Sequence, residues 1–120
     1  MPKPPPLPHD DRREHPRVNL LAQVQVKRSS EILLLQARNV SFGGVFLEGN
    51  PKEYPQLGVG MEVDLSLTPE DDPEGQTIEM RARVARIDRT KPTGFGLSII
   101  RIDANSQGRL VALIRRARDK

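Results

Sequence analysis

Two short stretches of the chain carry side chains that grip planar or anionic groups. The first is Arg12-Arg13-Glu14-His15-Pro16-Arg17. Pro16 biases His15 away from the α region, so the stretch reads as an extended or turning arm rather than a helix. Arg13 and Arg17 would then lie about 13 Å apart along it. Each guanidinium is a planar fork that bonds a phosphate or a guanine edge bidentately and stacks on rings. The second stretch is Asn39-Val40-Ser41-Phe42-Gly43-Gly44. At the end of a strand Asn39 and Ser41 share a face, and Val40 turns into the core. The amide oxygen of Asn39 can accept from a base N–H, and Ser41 can donate to a phosphate or a base acceptor. Gly43 and Gly44 are expected to permit positive φ and a tight turn. Taken singly, the first stretch reads first as a solvated basic turn, and the second first as an Asx turn closing a hairpin.

Other chemistries are poorly supplied. The chain has no Cys, and its two His residues, His9 and His15, both fall in the first fifteen positions. Thiol catalysis, disulfides and Cys-ligated metals are excluded, and no metal or catalytic site is expected. Ser41, His15 and an Asp could be named as a triad, but no pattern brings them together or supplies an oxyanion hole. No enzyme is expected. Gly58-x-Gly60 and Gly94-x-Gly96 complete no dinucleotide fingerprint. Fourteen of the nineteen basic residues are Arg, yet the net charge is only +3, which does not demand nucleic acid. With one Tyr and three Phe, stacking platforms for single strands are scarce.

Elements of a small β protein must position these residues. The 120 residues suit one domain, and with 3% aromatics the core must be aliphatic. Residues 1–11, with Pro2, Pro4, Pro5, Pro6 and Pro8, read as a flexible Pro-rich tail. Val18, Leu20, Ala22, Val24 and Val26 alternate with polar residues as a half-buried strand. Residues 32–40 form a second strand after the turn Arg28-Ser29-Ser30-Glu31. A short third strand covers 45–48, a Gly- and Pro-containing loop 49–60, and a fourth strand 61–67. An acidic hairpin tip holds Glu70, Asp71, Asp72 and Glu74. The fifth strand starts at Ile78, and Ala85 breaks its phase before Ile87 restores it, predicting a bulge. Phe95, Leu97 and Ile99 mark the sixth. Arg81 and Arg83 are expected opposite Glu62 and Asp64 as solvated cross-strand pairs. Leu110, Leu113, Ile114 and Ala117 then recur at helical spacing over about 106–118, with Asn105 or Ser106 as N-cap. Six short antiparallel strands suggest a small closed barrel or a sandwich, and the C-terminal α-helix can cover an open end of such a barrel. No apolar run approaches a membrane span and no leader follows Met1, so a cytoplasmic protein with no membrane insertion is expected.

Arg13-x-x-x-Arg17, followed about twenty residues later by Asn39-x-Ser41-x-x-Gly44, resembles the signature of the PilZ family of bacterial cyclic di-GMP receptors. The resemblance runs over residues 12–118 and includes NVSFGGVFLEGN, the LGVGMEVDLSL and GFGLSII strands and the terminal helix. It implies a six-stranded antiparallel β-barrel with a C-terminal helix, in agreement with the strand pattern. It also implies that Arg13 and Arg17 hold guanine edges and phosphates, that Asn39 and Ser41 read a guanine, and that Gly44 keeps the floor open. Arg12, just before the motif, adds a cation that would help offset the charge of a stacked pair of ligands. The ligand is cyclic di-GMP, with no other cofactor. With no effector domain in view, output would pass to an unidentified effector protein through ordering of the arm at 12–17. The competing reading is a scaffold of the same fold that works through proteins without binding the nucleotide. No nucleic-acid partner is expected.

Overall fold

The computed structural model describes residues 18–72 and 74–118. Six strands follow in order: β1 (Val18–Arg28), β2 (Glu31–Val40), β3 (Gly44–Glu48), β4 (Glu62–Pro69), β5 (Ile78–Asp88) and β6 (Gly94–Ile102). One helix, α1 (Ala104–Arg118), ends the chain's described part. All pairings are antiparallel, and the order β1-β2-β3-β6-β5-β4 closes on itself because β1 pairs with β4. The barrel and helix expected from the sequence are therefore the observed fold. Closure leaves no strand edge free along the paired segments. The tail at 1–11 and the Arg12–Arg17 arm lie outside the described residues, as do the side chains of Val18 and Leu20.

The period-two alternation puts one aliphatic row of each strand inside. Ala22, Val24 and Val26 of β1 meet Leu35, Ala37 and Val40 of β2. Val63, Leu65 and Leu67 of β4 join Ile78, Met80, Ala82 and Val84 of β5. Phe95 is the one aromatic ring wholly inside, 0% exposed. Burying such a side chain contributes about 1.5–3 kcal/mol.

The two barrel ends close differently. At the start of β5 and the end of β6, α1 lays Leu110, Leu113 and Ile114 against the core and packs on β5 and β1. Its N-cap is Asp103, not Asn105 or Ser106. The Asp103 carboxylate accepts from the Ser106 N–H at 2.8 Å, and its carbonyl from Gln107 N–H at 2.8 Å. The helix starts earlier than its apolar periodicity showed because the cap follows directly on β6. Ser106 is buried and ties the helix to the sheet, its Oγ accepting from Glu79 N–H at 3.0 Å. At the other end of β5 and β6, the loop after β3 contains a single 3₁₀ turn, Pro51–Glu53. Leu57 enters the core there, and Tyr54 meets Phe95 edge-on at 6.2 Å between centroids. Gly60, at φ 91°, donates to the Val84 carbonyl at 2.7 Å and starts β4. Only a residue without Cβ adopts that backbone freely. Ser29, at φ 55°, takes the left-handed region in the β1–β2 turn.

The outer charge pairs on β4 and β5 are those the alternation predicts. Arg81 bonds Asp64 at 2.9 Å and Glu62 at 3.3 Å, and Arg83 bonds Glu62 at 3.0 Å. Hydrogen bonds, from Arg83 first and then Arg81, hold the Glu62 carboxyl below the usual glutamate range. A depressed folded pKa means that the stabilisation is complete above the unfolded value and fades as pH falls through the folded one. A carboxyl-detected NMR titration should place the Glu62 midpoint below that of an ordinary glutamate, and Arg83→Ala should move it up. An unchanged midpoint in that variant would show that the pair does not form in solution.

Candidate functional site

Four register shifts interrupt the barrel, and two of them frame a cleft on its outer face. In β2, Ala37 and Val40 both point inward, three residues apart, and the register skips between Ala37 and Asn39. Regular alternation would have turned Asn39 into the core with Ala37. The extra residue, Arg38, instead puts Asn39 outside, opposite Phe46 of β3. In β5 the register skips between Val84 and Arg86, so Ala85 and Arg86 both face outward and Ile87 returns to the core. This is the bulge anticipated at Ala85. A third lies in β6 between Ile99 and Arg101, and a fourth in β1 between Asn19 and Ala22.

Between the first two bulges, β3 and β6 form the floor. Their outward positions are Gly44 opposite Ser98 and Phe46 opposite Gly96. Asn39, Ser41, Gly44, Phe46, Arg86 and Ser98 all line one cleft of about 240 Å³. Three sequence-assigned residues, Asn39, Ser41 and Gly44, are thus brought together. Arg12, Arg13 and Arg17 lie outside the described residues. The register does fix where their segment joins the barrel: Val18 pairs with Val40, between Asn39 and Ser41 in the chain. Arg17 is covalently next to Val18, within one Cα step of about 3.8 Å.

The two polar motif residues differ in how they are engaged. The Asn39 amide is partly exposed and has no hydrogen-bond partner among the described residues. Its donors and acceptor are available to a ligand. Ser41 is only 5% exposed, and its Oγ accepts from the N–H groups of Gly43 and Gly44, both at 3.2 Å. Its own N–H donates to the Gly44 carbonyl at 2.9 Å. The Ser41 oxygen therefore builds the β2–β3 turn, and its proton has only a long 3.5 Å contact to the Gly44 carbonyl. Gly44 serves the site by close approach rather than by positive φ: a Cβ there would lie 2.6 Å from the Leu97 carbonyl oxygen.

Arg86, Phe46, Gly96 and Ser98 were not named as site residues from the sequence. The phase break at Ala85 was their signal, because a bulge turns two neighbours to one face. Gly94-x-Gly96 was a second signal. It fails as a dinucleotide fingerprint because these glycines sit in a strand and clear the floor beneath Arg86 and Phe46. A separate shallow groove on β4, β5 and β6, lined by Asp64, Glu79, Arg81 and Arg101, mixes both charges. Among the described residues no group of three His, Asp or Glu side chains could hold a metal ion. No described helix is long and apolar enough to cross a membrane.

Comparison with known proteins gives the same picture. The sequence model of the PilZ domain matches residues 11–116. Among solved structures, the chain is similar to the Bacillus subtilis inhibitor of motility MotI/DgrA, with 23% identity and a TM-score of 0.70 over 91% of this chain and 52% of that one. MrkH, described as a c-di-GMP-dependent transcription regulatory factor, gives 14% identity and a TM-score of 0.67 over 85% and 49%. The PilZ domain of YcgR from Escherichia coli, described with c-di-GMP, gives 18% identity and a TM-score of 0.64 over 90% and 92%. The chain spans about half the length of MotI/DgrA and MrkH. At these identities the likeness is one of fold. No curated protein matches the chain.

Three substitutions test how the cleft is built. Gly44→Ala should lower the stability of the free protein by about 1–3 kcal/mol, because backbone must move to admit the methyl group. Gly58→Ala, with nothing within 4 Å, should change it by less than about 0.5 kcal/mol. Ser41→Ala should also destabilise the free protein, by about 0.5–1.5 kcal/mol, since two part-buried N–H groups lose their acceptor. Denaturant midpoints measure all three. A Ser41→Ala midpoint equal to wild type would show that the hydroxyl does not hold the turn.

Proposed function

The chain belongs to the PilZ domain family, and on that premise we propose that it is a cyclic di-GMP receptor whose outer cleft between the two bulges receives the nucleotide. The observation that carries the reading is the convergence of Asn39, Ser41 and Gly44 on one cleft beside the β1 entry point. Arg13 and Arg17 supply guanidiniums for the phosphates and guanine edges, and Arg12 adds a further cation. Asn39 presents an unpartnered amide to a guanine. Ser41 and Gly44 fix the turn and leave its backbone bare for close approach.

The size of the cleft supports a two-part site. At about 240 Å³ it is smaller than the few hundred to a thousand cubic ångströms usual for an enclosed ligand. A dinucleotide with two phosphates and two bases needs a second wall, and residues 12–17 are the segment of the chain that leads into β1, whose first residue pairs with Val40. Binding gives Arg13 and Arg17 partners, which offsets the entropy of fixing that segment. The covered cleft then presents a new surface to an effector protein, so the chain acts as a receptor and adaptor rather than an enzyme. A PilZ domain described with c-di-GMP in YcgR and a c-di-GMP-dependent regulator in MrkH support this reading by fold alone.

Calorimetric titration tests it. Cyclic di-GMP should bind, and cyclic di-AMP and GTP should bind far more weakly, because adenine presents an N6 donor where an Arg fork needs the guanine O6 acceptor. Equal binding of cyclic di-AMP would reject the guanine-reading site, and absence of any binding would favour the protein-only scaffold. Arg13→Ala and Arg17→Ala should each weaken binding roughly ten- to a hundredfold, the loss of about 1.5–3 kcal/mol. Arg81→Ala, on the β4–β5 charge ladder, should bind as wild type. Hydrogen exchange supplies a separate readout: amides at 12–17 should slow on adding cyclic di-GMP, while those of β4 and the first half of β5 hold their rates. Equal exchange at 12–17 with and without ligand would contradict relay through the arm.

A further inference from the structure

Arg86 is a cleft residue that belongs to neither sequence motif. The β5 bulge turns it outward beside Ala85. Its Nε donates to both carboxylate oxygens of Asp88, at 3.1 and 3.2 Å. Its terminal nitrogens have no hydrogen-bond partner among the described residues. The side chain crosses directly over Gly96: a Cβ there would lie 2.9 Å from Nη1, 3.0 Å from Cζ and 3.1 Å from Cγ. A glycine at this floor position is what allows the guanidinium to lie down on β6. The side chain stays 49% exposed, so the face turned away from the floor is open to the cleft. Asn39 and Ser98 line the same cleft.

A guanidinium held in this way suits a base better than a phosphate. Asp88 occupies Nε, which removes the side-on Nε/Nη fork, leaves only the end-on pair of terminal nitrogens, and partly neutralises the charge that a phosphate would seek. What remains is a planar, weakly hydrated cation whose open face can carry an aromatic ring. Bracing by Asp88 also means that little side-chain freedom is lost on binding.

We propose that Arg86, braced by Asp88 and laid over Gly96, is a platform on which one guanine base of the bound dinucleotide stacks. The inference rests on the receptor reading and adds a contact on the wall across the cleft from Asn39. Asp88 is then a positioning residue that acts through Arg86.

Titration of the full chain with cyclic di-GMP tests this, with thermal unfolding of each free variant confirming that it folds. Arg86→Ala should weaken binding about tenfold. Arg86→Lys should weaken it nearly as much, because an ammonium keeps the charge but not the plane; wild-type affinity in Arg86→Lys would mean a phosphate contact and overturn the stacking assignment. Asp88→Asn should weaken binding about threefold in the wild-type background and have no further effect beside Arg86→Ala. An equal additional loss in both backgrounds would overturn the bracing role, since Asp88 would then act without Arg86. If wild type binds and Arg13→Ala does not, but Arg86→Ala binds as wild type, this inference fails alone. If wild type does not bind, the receptor reading fails with it.

Discussion

A strand in a closed barrel sends alternate side chains to opposite faces, and that constraint decides where this protein can put polar chemistry. Every regular outward position is fixed by the inward position next to it. Asn39 lies two residues beyond inward-facing Ala37 and would be buried by regular alternation. Skipping Arg38 in the register puts it outside and returns Val40 to the core. Skipping Ala85 does the same for Arg86 and Ile87. The cleft exists because the two bulges lie on the strands flanking the β3–β6 pair. The barrel keeps its aliphatic interior, and the polar groups needed outside are added at no loss of inward residues.

The floor between the bulges must be thin, and that requirement accounts for the glycines. Gly44 brings β3 against the Leu97 carbonyl, Gly96 lets Arg86 lie flat, and a side chain at Gly94 would meet the Phe46 ring. Glycines weaken a strand, since they bring no packing and lose more entropy on ordering. The weakening is offset locally. The Ser41 hydroxyl and N–H close the turn with backbone bonds to Gly43 and Gly44, and Phe46 covers the floor at 5% exposure. The stability of the turn and the shape of the cleft are therefore coupled through Ser41, which holds the turn and lines the cleft.

Most of the fold was legible in the sequence because alternation is a local signal. Rows such as Met61-Val63-Leu65-Leu67 and Ile78-Met80-Ala82-Val84 announce strands without reference to their neighbours. Their number suggests a small barrel or sandwich, and the pairing of β1 with β4 is what closes them into a barrel. The ends of elements were less legible. Asp103 caps α1 from the strand side, where no apolar periodicity marks a helix start, and its role appears only once β6 is known to end at Ile102. Part of the candidate site was legible as a motif: Asn39 and Ser41 share a face as their spacing implied, and with Gly44 they line one cleft. The rest was not, because Arg86, Gly96 and Ser98 come from strands distant in sequence and join Asn39 only through the order β2-β3-β6-β5. Ser41 shows the opposite limit: its residue type allows a ligand contact, but only the turn geometry reveals that its oxygen is already engaged.

The central claim is that the outer cleft between the two bulges is where cyclic di-GMP sits. Backbone amide chemical-shift mapping addresses it residue by residue. On titration with cyclic di-GMP, the largest shifts should fall on Asn39 to Phe46, on Ala85 and Arg86, and on Gly96 to Ser98, four strands that meet only at this cleft. Shifts centred instead on the charged groove at Asp64, Glu79, Arg81 and Arg101, with the Asn39–Phe46 amides unmoved, would place the ligand elsewhere and contradict the account.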